Sequence, residues 1–236
     1  MKYVLHKAAS RGHFDHGWLK TWHTFSFADY FDRSRMNFGV LRVLNDDSVA
    51  AESGFGMHPH QNMEILTVML EGELSHRDSF GHAATIGTEE VQVMSAGTGI
   101  YHSEFNNSKT NGCKLLQLWF LPEEQNIKPR YEQHPVDPQL RKDNIHTFVA
   151  PFGEDTSLSL HQDVWVSRLD SSGGKSYTYR MHRDNTGLYV FVIDGSIRTG
   201  GQLLERRDGI GLYELREAEI EVPERAEIIL FEVKMN

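Results

Sequence analysis

The stretch "GFGMHPHQNMEILTVMLEGEL", residues 54–74, combines a histidine pair with an apolar run that ends in a glycine turn. The run "EILTVML" is apolar at nearly every position, as expected of a β-strand buried on both faces. We therefore expect His58 and His60 to lie at the mouth of that strand. Residues i and i+2 of an extended chain point to the same side, so both imidazoles would face one space.

The same pattern returns in the second half of the chain. "LTVMLEGEL" (66–74) aligns with "YVFVIDGSI" (189–197), matching an apolar strand, an acidic residue, a glycine and a returning strand. In this alignment His58 and His60 correspond to Met181 and Arg183. A duplicated fold would therefore carry its working site in the first half.

Short strand-like runs separated by turn residues continue from about residue 38, and capped helical patterns are scarce. This texture predicts an all-β protein of the sandwich or barrel type. The polar stretch 121–144 contains four of the seven prolines, so regular strand pairing would be hard to sustain there. We interpret it as a linker between a domain at 1–133 and a second domain at 134–236.

Composition excludes several functional classes. The formal net charge is −9 and basic runs are missing, which argues against direct binding of nucleic acid. The apolar segments are too short for a signal peptide or a membrane span, so a cytoplasmic protein without membrane contact is expected. Cys113 is the single cysteine, which excludes intrachain disulfides and favours a packing role.

A second cluster lies in "MSAGTGIYHSEFN", residues 94–106, where His102 and Glu104 follow a glycine turn at i and i+2. Chance alone would give about 0.7 H-x-H and about 1.0 H-x-E pairs in such a chain, so neither pair is informative by itself. Two same-face pairs, each beside a strand and a glycine turn, form a more specific arrangement. Three imidazoles and a carboxylate suit a divalent Fe, Ni, Cu, Zn or Mn ion and leave open coordination positions.

These segments resemble a known family. "HPHQNMEILTVMLEG" and "SAGTGIYHSEFN" are similar to the two cupin motifs in the form typical of the pirin family, although Ser95-Ala96-Gly97 replaces the proline usual in the second motif. The likeness extends to "RGHFDHGWLKTWHTFSFADYFD" (11–32), "LRVLNDD" (41–47) and "LPEEQNIKPRYEQ" (121–133). The resemblance implies two tandem cupin barrels, which are jelly rolls, with metal ligands in the N-terminal barrel and none in the C-terminal one.

Residue by residue, the resemblance assigns the metal ligands to His58, His60, His102 and Glu104. Glu64 stands where many other cupins have their carboxylate ligand, and we expect it to pack or to support the site instead. One divalent transition metal per chain is implied. Iron is the first expectation, with nickel, copper, manganese, cobalt and zinc as alternatives.

The function implied is that of pirin-like bacterial proteins associated with quercetin 2,3-dioxygenase activity, in which a flavonol is cleaved with loss of carbon monoxide. The partners would be a small aromatic substrate and dioxygen, and the protein a monomer. Glu104 is the candidate base for the flavonol's 3-hydroxyl. The alternative is a non-enzymatic metal-sensing or redox-sensing regulator that binds protein partners, with a cupin isomerase or a simple metal binder as a third reading.

Other histidines are expected to have ordinary roles. His13, His16 and His23 are interpreted as surface or capping residues because none of them pairs at strand spacing. The aromatic residues of "WLKTW" and "FSFADYF" are expected mostly in the core. A further set of single histidines is interpreted as solvated or locally hydrogen-bonded: His76, His82, His134, His146, His161 and His182.

Overall fold

The computed structural model describes residues 1–235 as an almost entirely β-stranded chain. Its helical segments are two short 3₁₀ helices, Ala8–Ser10 and Pro138–Arg141. Over these residues no helix has the length and apolar character needed to span a bilayer. The predicted all-β class with few, short helices is confirmed.

The strands of the first half are β1 (Lys2–His6), β2 (Gly12–Asp15), β3 (Leu19–His23), β4 (Leu41–Val49), β5 (Ser53–His60), β6 (Glu64–Glu71), β7 (Leu74–Asp78), β8 (Ala83–Ile86), β9 (Glu90–Ser95), β10 (Ile100–Asn106), β11 (Cys113–Phe120) and β12 (Arg130–Pro135). Those of the second half are β13 (His146–Pro151), β14 (Leu158–Leu160), β15 (Val164–Ser171), β16 (Lys175–Arg180), β17 (Thr186–Asp194), β18 (Ser196–Thr199), β19 (Gln202–Glu205), β20 (Gly209–Tyr213), β21 (Glu217–Val222) and β22 (Ala226–Lys234).

Each half combines a seven-stranded sheet with a four-stranded sheet. The first half has the orders β12-β9-β6-β11-β4-β3-β2 and β5-β10-β7-β8. The second half has the orders β1-β20-β17-β22-β15-β13-β14 and β16-β21-β18-β19. The aligned runs become β6 and β17, which are interior strands of their sheets and are buried on both faces over most of their length.

The two large sheets pack against each other. Leu44 and Leu118 of the first sheet share one hydrophobic core with Tyr189 and Phe231 of the second. The first strand strengthens this connection, because β1 pairs with β20 in the sheet of the second half. The boundary predicted at residue 133 falls inside β12 and remains a prediction.

The stretch predicted to be an unpaired linker is partly a strand. β12 pairs with β9 from Arg130 to Pro135. It lies at the edge of its sheet, where one side of the strand needs no ladder partner and proline is tolerated. The expectation that regular pairing would be hard to sustain in this stretch was therefore wrong for β12.

Cys113 is buried in a small core with Leu74 and Leu115, and burial raises the pKa of its thiol to about 11. Its predicted packing role is confirmed.

Candidate metal centre

Two neighbouring strands of the small sheet bring three histidines together. His58 and His60 end β5, and His102 lies on β10 directly opposite His58. The ring centroids are 4.4 Å apart for His58 and His102, and 4.8 Å apart for each of the other two pairs. The histidine pair therefore belongs to an edge strand of its own in the small sheet, which ends just before β6 begins, and Ile65 of β6 lines the same cavity. Pro59 is tolerated on β5 because that strand is an edge.

Two of the rings are kept neutral by burial, and a backbone hydrogen bond orients the third. Burial lowers the pKa of His60 to about 4 and that of His102 to about 2, so both rings are neutral at neutral pH. The Nδ1–H of His58 donates to the carbonyl of Gly56 at 2.7 Å, which leaves Nε2 as the nitrogen that a metal would use. Nε2 of His102 is buried and bonds to no protein group. This donor set fits a borderline divalent metal.

Glu104 follows His102 on the inner face of β10. The register between β10 and β5 shifts between these two residues, which places Glu104 opposite Phe55. Such a β-bulge re-aims the side chains of the strand pair. The Glu104 carboxylate is only 2% exposed, and burial raises its pKa to about 7.

A row of polar side chains across the large sheet holds this carboxylate. This polar row, as we call it, consists of side-by-side residues on β9, β6 and β11, namely Gln92, Thr67 and Gln117. Gln117 Nε2 donates to Glu104 Oε2 at 3.0 Å, and Thr67 Oγ1 donates weakly to Oε1 at 3.4 Å. Gln92 in turn donates to Thr67 at 3.4 Å. The inner face of the sheet is thus built to fix Glu104.

The second half replaces this row with apolar residues. Val190 of β17 corresponds to Thr67 in the sequence alignment of the halves, and its partners on the neighbouring strands are Ile210 and Leu230. All three are fully buried in the apolar interior of the second barrel. Within residues 1–235, the groups of histidines and acids close enough to share a metal ion lie in the first half.

His76 of β7 joins the site, although we expected it to be solvated or locally hydrogen-bonded. It is fully buried, and its Nδ1 lies 3.4 Å from Nδ1 of His102. With His76, His102 and Glu104 a second candidate metal group exists beside the first. When Nε2 of His102 is kept for metal, its Nδ1–H donates to His76.

A chain of contacts continues from His76 to the surface. Its Nε2 lies 3.4 Å from Asp78 Oδ2, which also bonds with Nδ1 of the half-exposed His82 at 2.7 Å. Tyr131 stacks on both imidazoles, with ring centroids 4.6 and 5.3 Å away. His76 is therefore held firmly in the orientation that contacts His102.

A cavity of about 250 Å³ lies in front of the histidines and Glu104. Phe27, Phe55 and Trp119 supply aromatic walls, and Trp119 stands edge-to-face to His60 at 4.8 Å. Phe25 from the same segment is buried in the core, whereas Phe31 is 74% exposed. The expectation that most of these N-terminal aromatics pack in the core is thus met only in part.

Two of the three N-terminal histidines also line the cavity. His23 is buried, stands edge-to-face to Phe27, and has its pKa lowered to about 4 by burial. His16 lies at the same wall. A surface or capping role was predicted for His23, and the surface part was wrong because β3 turns the side chain inward. His13 points outward and stacks on Trp22 at 4.5 Å.

The polar lining includes a carboxyl group that sequence reasoning missed. Asp47 on β4 is buried beside the cavity, and burial raises its pKa to about 7. The site therefore contains two buried carboxyl groups, Asp47 and Glu104, that change charge near neutral pH.

Glu64 faces away from the cavity, toward the second half. Its Oε2 accepts hydrogen bonds from Ser95 Oγ at 2.9 Å and from the backbone N–H of His161 at 3.2 Å. Glu64 thus connects the two halves and stands apart from the four assigned ligands.

Each half consists of two facing sheets, and the first half carries a cluster of histidines and a carboxylate. This arrangement defines a bicupin with a candidate metal centre. The family model for pirin matches residues 4–120, and the model for the quercetinase C-terminal cupin domain matches residues 147–233. The chain belongs to the pirin family.

Individual relatives agree with this assignment. The chain is 40% identical over 229 residues to the quercetin 2,3-dioxygenase of Escherichia coli (strain K12), covering 97% of each protein. The crystal structure of YhhW from Escherichia coli matches with a TM-score of 0.94 and 39% identity, over 100% of this chain and 99% of that one. The bacterial pirin YhhW in complex with nickel(II) matches with a TM-score of 0.93 and 38% identity over the whole of both chains.

Proposed function

We propose that this chain is a metal-dependent dioxygenase that cleaves a flavonol such as quercetin at the 2,3-position, with loss of carbon monoxide. One observation carries the proposal: neutral imidazoles and a buried carboxylate line a cavity with aromatic walls. The name of the Escherichia coli relative supports the same activity.

The metal ligands we propose are His58, His60, His102 and Glu104. The rings of His58, His60 and His102 already converge, and Glu104 lies within the neighbouring candidate group that shares His102. When bound, a divalent transition metal would supply a Lewis acid that stabilises negative charge on a substrate oxygen. Nickel is found in the solved relative, and iron, copper, manganese, cobalt and zinc suit the same donor set.

The remaining residues would bind and orient the substrate. Phe27, Phe55 and Trp119 offer flat apolar surfaces for an aromatic ring system. Glu104 would accept the proton of the flavonol's 3-hydroxyl, because its carboxylate lies beside His102 in the same candidate group. Burial of the site would keep bulk water away from the reacting ring.

The partners that follow from this function are a small aromatic substrate and dioxygen. A monomer in the cytoplasm, without nucleic acid or membrane as partners, remains our prediction from the sequence.

The direct test loads the purified protein with Fe(II), Ni(II), Cu(II) or Mn(II) and follows quercetin absorbance and carbon monoxide release, with and without oxygen. We expect loss of quercetin that requires both the metal and oxygen and yields about one carbon monoxide per flavonol. Absence of such loss for every ion would overturn the quercetin form of the proposal. Full turnover by Glu104→Gln with its metal retained would remove Glu104 as the base.

A second candidate is a metal-sensing regulator that binds a protein partner. Tyr101 and Phe105 are 55% and 41% exposed on the outer face of β10, the strand whose inner face carries His102 and Glu104. Exposed aromatics on a metal-bearing strand favour a docking role. The double variant Tyr101→Ser, Phe105→Ser separates the two functions. The dioxygenase proposal predicts unchanged turnover, whereas a regulator would lose metal-dependent association with its partner.

A further inference from the structure

One wall of the cavity is polar where the others are aromatic. Thr21 of β3 and Asp47 of β4 face each other across the strand pair, and Asn45 lies two residues before Asp47 on the same face of β4. We call these three residues the polar wall. All of them line the cavity, and none is more than 5% exposed.

The polar wall has hydrogen-bonding capacity that the protein leaves unused. Oγ1 of Thr21, Oδ1 of Asn45 and Oδ1 of Asp47 are buried and have no protein partner in good hydrogen-bond geometry, although the Thr21 hydroxyl lies near enough to Asp47 to lower the pKa of its carboxyl against the effect of burial. Buried polar atoms in folded proteins nearly always have a partner, either in the protein or in a bound molecule. Three such oxygens on one cavity wall therefore indicate a ligand that brings hydrogen-bond donors to it.

The polar wall stands beside the candidate metal centre. Asn45 pairs across β4 and β11 with Gln117, which donates to Glu104. A ring system placed among the aromatic walls with one hydroxyl at the histidines would thus bring its other substituents near Thr21, Asn45 and Asp47. Hydroxyl groups fit these oxygens because they donate hydrogen bonds, which a bare aromatic edge does not do.

We propose that Thr21, Asn45 and Asp47 form a hydroxyl-recognising subsite that selects polyhydroxylated aromatic ligands over those with unsubstituted rings. The subsite rests on the proposed function for its substrate class, and it specifies which flavonols the cavity accepts. Sites built to hydrogen-bond a substrate hydroxyl discriminate strongly, because the analogue without the hydroxyl leaves buried polar atoms unpaired.

Binding of two flavonols tests the proposal. Quercetin carries several hydroxyls, and 3-hydroxyflavone keeps the 3-hydroxyl and lacks the others. Dissociation constants for both are measured on the nickel-loaded full chain without oxygen, so that no turnover occurs. The variants are Asn45→Leu and Thr21→Val, each close in shape to the native residue. Ser48→Ala, on the opposite face of β4, is the matched control, and metal content and Tm verify the folded state of every variant.

We expect the wild type to bind quercetin more tightly than 3-hydroxyflavone. Each polar-wall variant should weaken quercetin binding about threefold to tenfold, the worth of one lost hydrogen bond, and leave 3-hydroxyflavone within about twofold. Ser48→Ala should change neither. An unchanged ratio of the two constants in both variants, equal weakening of both ligands, or no binding of quercetin by the wild type would overturn the subsite.

The binding test and the turnover test can give independent outcomes. Selective quercetin binding that depends on Asn45 and Thr21, with no oxygen-dependent turnover, would remove the dioxygenase function and leave the subsite standing. Turnover of quercetin with an unchanged binding ratio in the variants would remove the subsite and leave the dioxygenase standing.

Discussion

Gln117 and Thr67 face each other on neighbouring strands of the large sheet, and both side chains donate hydrogen bonds to the Glu104 carboxylate. The large sheet thus positions a residue that belongs to the small sheet. Because the corresponding residues of the second half are Leu230 and Val190, the second barrel has nothing to hold a buried acid at this place. The presence of the polar row in one barrel and its absence from the other explain why the duplicated fold has its candidate site in the first half.

Replacement of Gln117 by Leu should weaken metal binding. The change removes the closest donor to Glu104 and reproduces the residue of the second half, so the carboxylate loses its fixed orientation. Loss of such an outer contact typically costs about tenfold to a hundredfold in metal affinity. Metal titration followed by calorimetry measures the effect, and Gln139→Leu on the exposed 3₁₀ helix serves as control. Equal affinities in the two variants would contradict a supporting role for Gln117.

His76→Leu should also lower metal affinity, by about tenfold to a hundredfold, because the Nδ1 of His102 would lose the partner that fixes its ring and tautomer. His82→Gln, which changes the exposed end of the same chain of contacts, should have a smaller effect. A His76 variant that binds nickel as tightly as the wild type would show that its contact with His102 is incidental.

Local spacing was enough to predict part of this molecule. The i and i+2 pairs at His58 and His60, and at His102 and Glu104, depend only on extended backbone, and the structure brings their side chains to one region. The all-β class followed from the lengths and turn residues of the strands. The pairing of β12 was missed because an edge strand tolerates proline and an interior strand does not. The sequence alone does not show which strands lie at a sheet edge.

The supporting residues could not be predicted, because they meet through strands distant in sequence. Gln92, Thr67 and Gln117 are each a single polar residue inside an apolar run, and only the register of β9, β6 and β11 aligns them. His76 and Asp47 likewise face the site through pairing with other strands. The sequence signal for these supporting residues was that three apolar strands each contain one polar residue in their interior.

The stability of the metal-free protein should depend on pH through Glu64. Burial raises the pKa of this carboxyl from 4.5 to about 7, so the folded state holds the proton more tightly than the unfolded state. The resulting stabilisation is fully present below pH 4.5 and is lost as pH rises through about 7. Glu64→Gln, which keeps an oxygen acceptor, lacks this dependence.

Relative to the wild type, the free energy of unfolding of Glu64→Gln should therefore rise by roughly 1–3 kcal/mol between pH 4.5 and pH 8. Urea unfolding in the presence of a chelator measures it, and the contributions of the other carboxyl groups cancel in the difference. Glu73→Gln, at an exposed position, should show no such trend. A difference that stays constant over this pH range would mean that the Glu64 carboxyl is unperturbed.

The metal content of purified variants tests the proposed centre most directly. Wild type, His58→Ala, His102→Ala and His182→Ala are loaded with nickel, desalted and measured by mass spectrometry together with protein concentration. His182 is the matched control, because its imidazole bonds with Glu232 in the second half at 2.7 Å. We predict about one metal per chain in the wild type and in His182→Ala, and at least a tenfold loss in the other two, with all four proteins folded. Unchanged metal content in both His58→Ala and His102→Ala would contradict the site.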